Sequence, residues 1–304
     1  MEAARLTGCG TALVTPFQDD GSVDETALRA LVEWQIAEGI NCLIPCGSTG
    51  EAVTLTPDEH KRVVQITVEQ TAGRVPVIAG AGSNDTRRAI ALSLAMKAAG
   101  ATHLLHVTPM YNKPPQRGLI AHFKAIADAC DLPIVLYNVP GRTSINLEAQ
   151  TTLELAADSR FVAVKEASAN LTQISEIIRH RPEKFAVLSG DDSWTLPLMA
   201  LGADGIISVV SNAVPRGMSE LAAACLRGDF AAARTIDAKL APWMQTAFIE
   251  SNPIPAKAGL AMMGKLRENL RLPLVPLADR HRGAVRAALE HAGALPPHDS
   301  QPCL

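Results

Sequence analysis

The feature that most constrains this chain is a recurrence: short, apolar, β-branched runs separated by segments of helical periodicity. The runs cover residues 8–14, 41–45, 75–80, 103–108, 134–138, 161–165, 186–189 and 205–209. Their apolar positions are nearly continuous rather than alternating, the pattern of strands buried on both faces in a parallel sheet. Between them, residues 26–39, 58–71, 86–100, 118–131 and 171–180 read as helices. Thr56, Pro57 and Glu59 form a capping box with proline in the first turn, and Gly39 and Gly100 mark helix ends. About eight βα units close naturally into a barrel, with an open doubly wound sheet as the alternative.

After Ser211 the strand runs stop, and residues 213–227, 230–249 and 256–267 read as helices. The expected class is therefore α/β, a (β/α)8 TIM barrel with a C-terminal helical appendage. The divisions are a catalytic barrel over 1–225, a helical region over 226–295 and a flexible tail over 296–304, whose polar and proline-rich sequence has nothing to bury. A chain of 304 residues that is 47% hydrophobic can fill such a core.

Net charge is −3 with dispersed basic residues, so there is no electrostatic footprint for nucleic acid or an anionic membrane. A small-molecule partner is expected. The first residues lack the layout of a signal peptide and no apolar run approaches the roughly 20 residues of a membrane span, which points to the cytoplasm. Most of the six cysteines lie in apolar runs. Cys42 and Cys46 are spaced CxxxC without a second pair to complete a zinc site, so structural thiols and no metal are expected.

Barrel enzymes carry reactive groups at the C-terminal ends of their strands. Of nine lysines, Lys165 directly ends the run Phe161-Val162-Ala163-Val164 and should point into the barrel mouth. Desolvation there lowers a lysine pKa and frees amine to attack a carbonyl. Position alone leaves a second reading open, a lysine paired with Glu166 or another carboxylate. The two tyrosines of the chain, Tyr111 and Tyr137, both stand at strand ends before an asparagine, which favours proton transfer over packing. The loop Gly47-Ser48-Thr49-Gly50-Glu51 offers hydroxyls and free amides to a carboxylate or phosphate, although a plain glycine turn would look similar; Glu51 is expected to be structural. Arg142 could grip a carboxylate or be a solvated loop residue.

Taken together these segments resemble the dihydrodipicolinate synthase family, within the pyruvate-dependent Schiff-base aldolases, over nearly the whole chain. The resemblance is carried by residues 11–17, 47–51, 76–80, 108–112, 137–143, 164–167 and 188–192, and extends through 252–257 and 270–273. It implies condensation of pyruvate with L-aspartate 4-semialdehyde, in the diaminopimelate route to lysine. Lys165 would form the imine and Tyr137 relay protons, while Thr49 and Ser48 hold the pyruvate carboxylate. Tyr111 would enter from a neighbouring subunit to complete a relay with Ser48 and Tyr137. Arg142 would bind the semialdehyde carboxylate, and Gly190 and Ile207 would line the pyruvate end.

The resemblance further implies no metal or organic cofactor and a homotetramer built from two dimers. Ser48, where the synthases usually carry threonine, supports a runner-up: an aldolase cleaving a 2-keto-3-deoxy sugar acid or N-acetylneuraminate. A non-catalytic barrel is the reading from another class. At the lysine feedback site of some members, Asn84 and His60 fit, whereas Pro57, Arg88 and Met110 replace a histidine, a glutamate and a tyrosine. Weak or absent feedback by lysine is expected, because a carboxylate gives way to a cation.

Overall fold

In the computed structural model, residues 5–297 are described. Eight parallel strands run β1 Gly8–Ala12, β2 Cys42–Ile44, β3 Ile78–Gly80, β4 His103–Val107, β5 Ile134–Asn138, β6 Phe161–Glu166, β7 Ala186–Ser189 and β8 Gly205–Ser208. Their order is β2-β1-β8-β7-β6-β5-β4-β3. A parallel bridge between Leu43 and Val77, with Gly80 N donating to the Pro45 carbonyl at 3.0 Å, joins the two ends into a barrel. The open-sheet alternative is thereby excluded.

The helices are α1 Glu25–Ala37, α2 Pro57–Thr71, α3 Thr86–Ala98, α4 Gln116–Ala129, α5 Pro140–Thr143, α6 Ala149–Ala156, α7 Leu171–His180, α8 Thr195–Ala200, α9 Pro215–Leu226, α10 Phe230–Thr246, α11 Ile254–Met262 and α12 Asp279–Ala292. The capping box of α2 forms as expected: Glu59 N donates to Thr56 Oγ1 and Thr56 N to Glu59 Oε2. Gly39 and Gly100 take positive φ at the ends of α1 and α3, where a side chain would be strained.

Continuous burial of the strands has a two-sided cause, because successive side chains alternate between the barrel interior and the helical layer. On β5, Ile134 and Leu136 join the large outer core, while Val135 and Tyr137 join the inner cluster. On β6, Phe161 and Val164 face outward and Ala163 inward. Lys165 therefore follows Ala163 into the interior, and Glu166 follows Val164 out.

The C-terminal helices pack into the same outer core, through Leu240, Trp243, Leu260, Val285 and Leu289. α11 starts two residues earlier than expected and ends at Met262, because the chain turns at Gly264 with φ +68°. Residues 298–304, most of the expected tail, lie outside the described residues.

Candidate active site

At the C-terminal mouth of the barrel lies a cavity of about 190 Å³ whose wall includes Ser48, Thr49, Tyr137, Arg142, Lys165, Gly190, Asp191, Val209 and Asn252. It adjoins an outer, more apolar cavity of about 350 Å³ that adds Val53, Met110 and Leu274. Five side chains singled out from sequence, together with Gly190, thus converge on one concave site.

Register places Lys165 beside Tyr137. Lys165 on β6 stands opposite Tyr137 on β5 and Leu188 on β7, and all three point inward. The ammonium nitrogen lies 4.3 Å from the centroid of the Tyr137 ring. Among the described residues Lys165 has no carboxylate ion-pair partner. Glu166, the suspected partner, faces the other way and accepts from Asn138 Nδ2, Gln173 Nε2 and the Ser168 amide. The ion-pair reading of Lys165 with Glu166 is therefore wrong.

Burial lowers the Lys165 pKa to about 8, with the Arg142 guanidinium pushing the same way and Asp192 opposing. At that value about a tenth of the side chain is free amine at pH 7, against roughly one part in 2,500 at the reference of about 10.4. Burial pushes the Tyr137 phenol up to about 12. It stays protonated near neutrality, so it can pass a proton on but not act as a standing phenolate base.

A second buried lysine, Lys257, also has its pKa lowered to about 8 by burial. Its circumstances differ: Nζ contacts Glu51 Oε1 at 2.5 Å and donates to the Asn269 carbonyl at 2.8 Å, over the Phe17 ring at 4.1 Å. Neither side chain of the pair is exposed. Lys257 is held in a structural ion pair, which also places Glu51 in the structural role expected of it.

The glycine at 190 has a steric cause. A Cβ there would meet Ala167 Cβ at 2.8 Å and Lys165 Cε at 3.1 Å, so its absence leaves the lysine its place. Asp192, fully buried behind it, accepts from Ser208 Oγ and the amides of Val209 and Val210, and burial raises its pKa to about 6. Sequence reasoning gave Asp192 no role, although it follows the end of β7.

Tyr111 and Ser48 are exposed, whereas Ile207 is buried. Tyr111 is 89% exposed on the loop after β4, with φ 74°, and lies outside the cavity. No hydrogen bond links Ser48, Tyr137 and Tyr111 among the described residues. Ser48 is exposed at the cavity rim. Ile207 is fully buried in the inner cluster, and Val209 rather than Ile207 forms the wall.

Asn252, between α10 and α11, was also given no role. Its Nδ2 donates to Thr49 Oγ1 at 2.9 Å, and its carbonyl accepts from Arg142 Nη2 at 3.4 Å. Only the spatial closeness of residues 203 positions apart reveals it.

Comparison with known proteins places the whole chain in a family. The profile of the dihydrodipicolinate synthetase family matches residues 5–292. A 4-hydroxy-tetrahydrodipicolinate synthase of Nitratidesulfovibrio vulgaris (strain DSM 19637 / Miyazaki F) is 53% identical over 96% of this chain and 100% of its own. One from Koribacter versatilis is 51% identical over 96% and 97%. Among solved structures, the chloride-inhibited dihydrodipicolinate synthase of Acinetobacter baumannii complexed with pyruvate superposes with a TM-score of 0.93 at 45% identity, covering 95% of this chain and 99% of that one. The chain belongs to the dihydrodipicolinate synthetase family.

Proposed function

We propose that this enzyme is a 4-hydroxy-tetrahydrodipicolinate synthase that condenses pyruvate with L-aspartate 4-semialdehyde through an imine on Lys165, in the diaminopimelate route to lysine. The observation that carries the chemistry is an unpaired, buried amine with its pKa lowered to about 8, facing Tyr137 in a cavity that also holds Thr49 and Arg142.

The Lys165 amine adds to C2 of pyruvate, and loss of one water gives the imine. The protonated imine is the electron sink, so a C3 proton departs and an enamine forms. Its C3 attacks the aldehyde carbon of the semialdehyde, whose oxygen takes a proton to become the 4-hydroxyl. The substrate's own α-amine then adds at C2 and displaces Lys165, closing the ring and returning the free lysine. No metal or organic cofactor enters this sequence.

Thr49 and Ser48, with their backbone amides, receive the pyruvate carboxylate, with Gly190 and Val209 on the wall at that end of the site. Tyr137 moves protons on and off the reacting oxygens. Arg142 pairs with the carboxylate of the semialdehyde in two parallel hydrogen bonds. Tyr111, exposed in its own chain, completes the relay in the site of a second copy, within a homotetramer of two dimers. The catalytic barrel is the unit assigned to 1–225, and the helical region assigned to 226–295 contributes Phe248 and Asn252 to the cavity wall.

Among the described residues no helix is long and apolar enough to cross a membrane. We place the enzyme in the cytoplasm, where a reduced environment suits its buried free thiols.

Steady-state turnover tests the substrate assignment against the sugar-acid alternative, whose support is Ser48. The reading requires product from pyruvate plus L-aspartate 4-semialdehyde and no cleavage of N-acetylneuraminate or 2-keto-3-deoxy sugar acids. Faster sugar-acid cleavage than condensation would overturn it.

A further inference from the structure

Thr49 comes from the loop after β2 and Arg142 from the short helix α5 after β5, strands that are not neighbours in the barrel. Asn252 reaches both from the C-terminal region. The residue is 6% exposed, and it is the only one of that region apart from Phe248 on the wall of the inner cavity among the described residues.

The direction of the hydrogen bond matters. An amide N–H can only donate, so Asn252 Nδ2 occupies a lone pair on Thr49 Oγ1 and leaves the hydroxyl proton free. The other amide atom, Oδ1, is buried without a partner. The reverse orientation would have Oδ1 capture the threonine proton and leave the carboxylate pocket one donor short.

The fold secures this placement a few residues further on. Lys257, in α11, is anchored to Glu51 at the end of the same loop that carries Thr49, and Arg271 N donates to Glu51 Oε2 at 3.1 Å. The loop and the segment bearing Asn252 are therefore tied together at two points, one inside the cavity and one behind it.

We infer that Asn252 is a positioning residue that orients the Thr49 hydroxyl as a donor toward a substrate carboxylate, so that the C-terminal region sets affinity at the pyruvate end of the site. The inference rests on the synthase reading given above. It differs from a packing role in one respect: what counts is that residue 252 donates rather than accepts.

Aspartate at 252 would keep the shape but reverse the polarity. Its carboxylate can only accept, so it takes the Thr49 proton and adds a negative charge beside the pocket. Asn252→Ala merely leaves Thr49 free to rotate. A packing role predicts that alanine is the more damaging change; donor orientation predicts that aspartate is.

The test is the KM for pyruvate in the full-length protein carrying N252D or N252A. Losing one hydrogen bond to a charged group predicts a rise of about 10- to 100-fold for N252D, a smaller one for N252A, and a lesser change in kcat. A folded N252D that binds pyruvate as well as N252A overturns the inference. A double-mutant cycle with Thr49→Val gives an independent reading even if N252D fails to fold. N252A should add nothing to the KM effect of T49V, and fully additive effects overturn the inference as well. Trapping of wild type by borohydride with pyruvate is read in parallel: if that fails, the synthase reading has failed and not this one.

Discussion

Glu51 and Lys257 form an ion pair at 2.5 Å with no solvent exposure of either side chain, and this pairing separates Lys257 from Lys165, the lysine proposed to react. Two lysines share a pKa lowered to about 8 by the same cause, burial, but only Lys165 lacks a carboxylate partner among the described residues. A lowered pKa by itself would not have chosen between them.

Removing one half of a buried pair strands the other. Lys257→Met should destabilise the fold by about 3–5 kcal/mol, since the Glu51 carboxylate keeps only the Arg271 amide as a partner. Urea unfolding measures this. The folded fraction of the variant should still form a pyruvate adduct on Lys165.

The Lys165 amine must be unprotonated to attack. With its pKa lowered to about 8, the rate of imine formation should rise with pH up to about 8 and level off above it. Single-turnover mixing with pyruvate across pH 6–10 reads the midpoint. A midpoint near the ordinary lysine value of about 10.4 would contradict the burial argument.

Gly190→Ala is a steric test. The new Cβ comes within 3.1 Å of Lys165 Cε and 2.8 Å of Ala167 Cβ, so the lysine must shift. Displacing a reacting group by about 1 Å costs on the order of 100-fold in rate, which should appear in imine formation. The backbone at 190 is not left-handed, but Ala167 Cβ cannot rotate away from the new methyl, so a drop in thermal stability of about 1–3 kcal/mol should accompany the loss of rate.

Acid stability follows from two buried histidines. Burial lowers His106 to about 3 and His103 to about 4, so each stays neutral in the fold and charges when the chain unfolds. The unfolded chain binds more protons below about 6.5, so stability falls as pH drops toward 4 by up to about 1.4 kcal/mol per histidine per pH unit. Asp192, raised to about 6, and Glu166, raised by burial, act in the opposite sense, while His60 and His122, both lowered by burial, add to the fall. Urea midpoints measured between pH 7 and 4 should decline, and His106→Asn should flatten the slope.

Feedback by L-lysine should be weak. The charge of Arg88 is felt at His60, whose ring bonds the Gly80 carbonyl at 2.8 Å, and a cation there repels a cationic amino acid. Inhibition at sub-millimolar lysine in a steady-state assay would contradict this expectation.

Much of the barrel was legible because its strands are buried on both faces and so stand out as unbroken apolar runs. α12 was not read, although Val285, Ala288, Leu289 and Ala292 lie at helical spacing, because arginines and histidines dilute that stripe. α6 and α8 are short and went unread for want of turns over which periodicity can show. At the site, Lys165, Tyr137, Thr49 and Arg142 were legible as strand-end residues. Tyr111 follows a strand too, but a left-handed backbone at that position belongs to a loop that carries it out to solvent. Asn252 stood in the 252–257 segment that carries the resemblance, but its role was not legible there, since it lies in partners from two distant parts of the chain.

The central claim is that Lys165, and no other lysine, captures pyruvate. Reduction with borohydride in the presence of pyruvate, followed by peptide mass spectrometry, tests it most directly. The account predicts a single reduced pyruvate adduct on the peptide containing Lys165, lost in Lys165→Ala; an unmodified protein, or an adduct carried by Lys257, would contradict it.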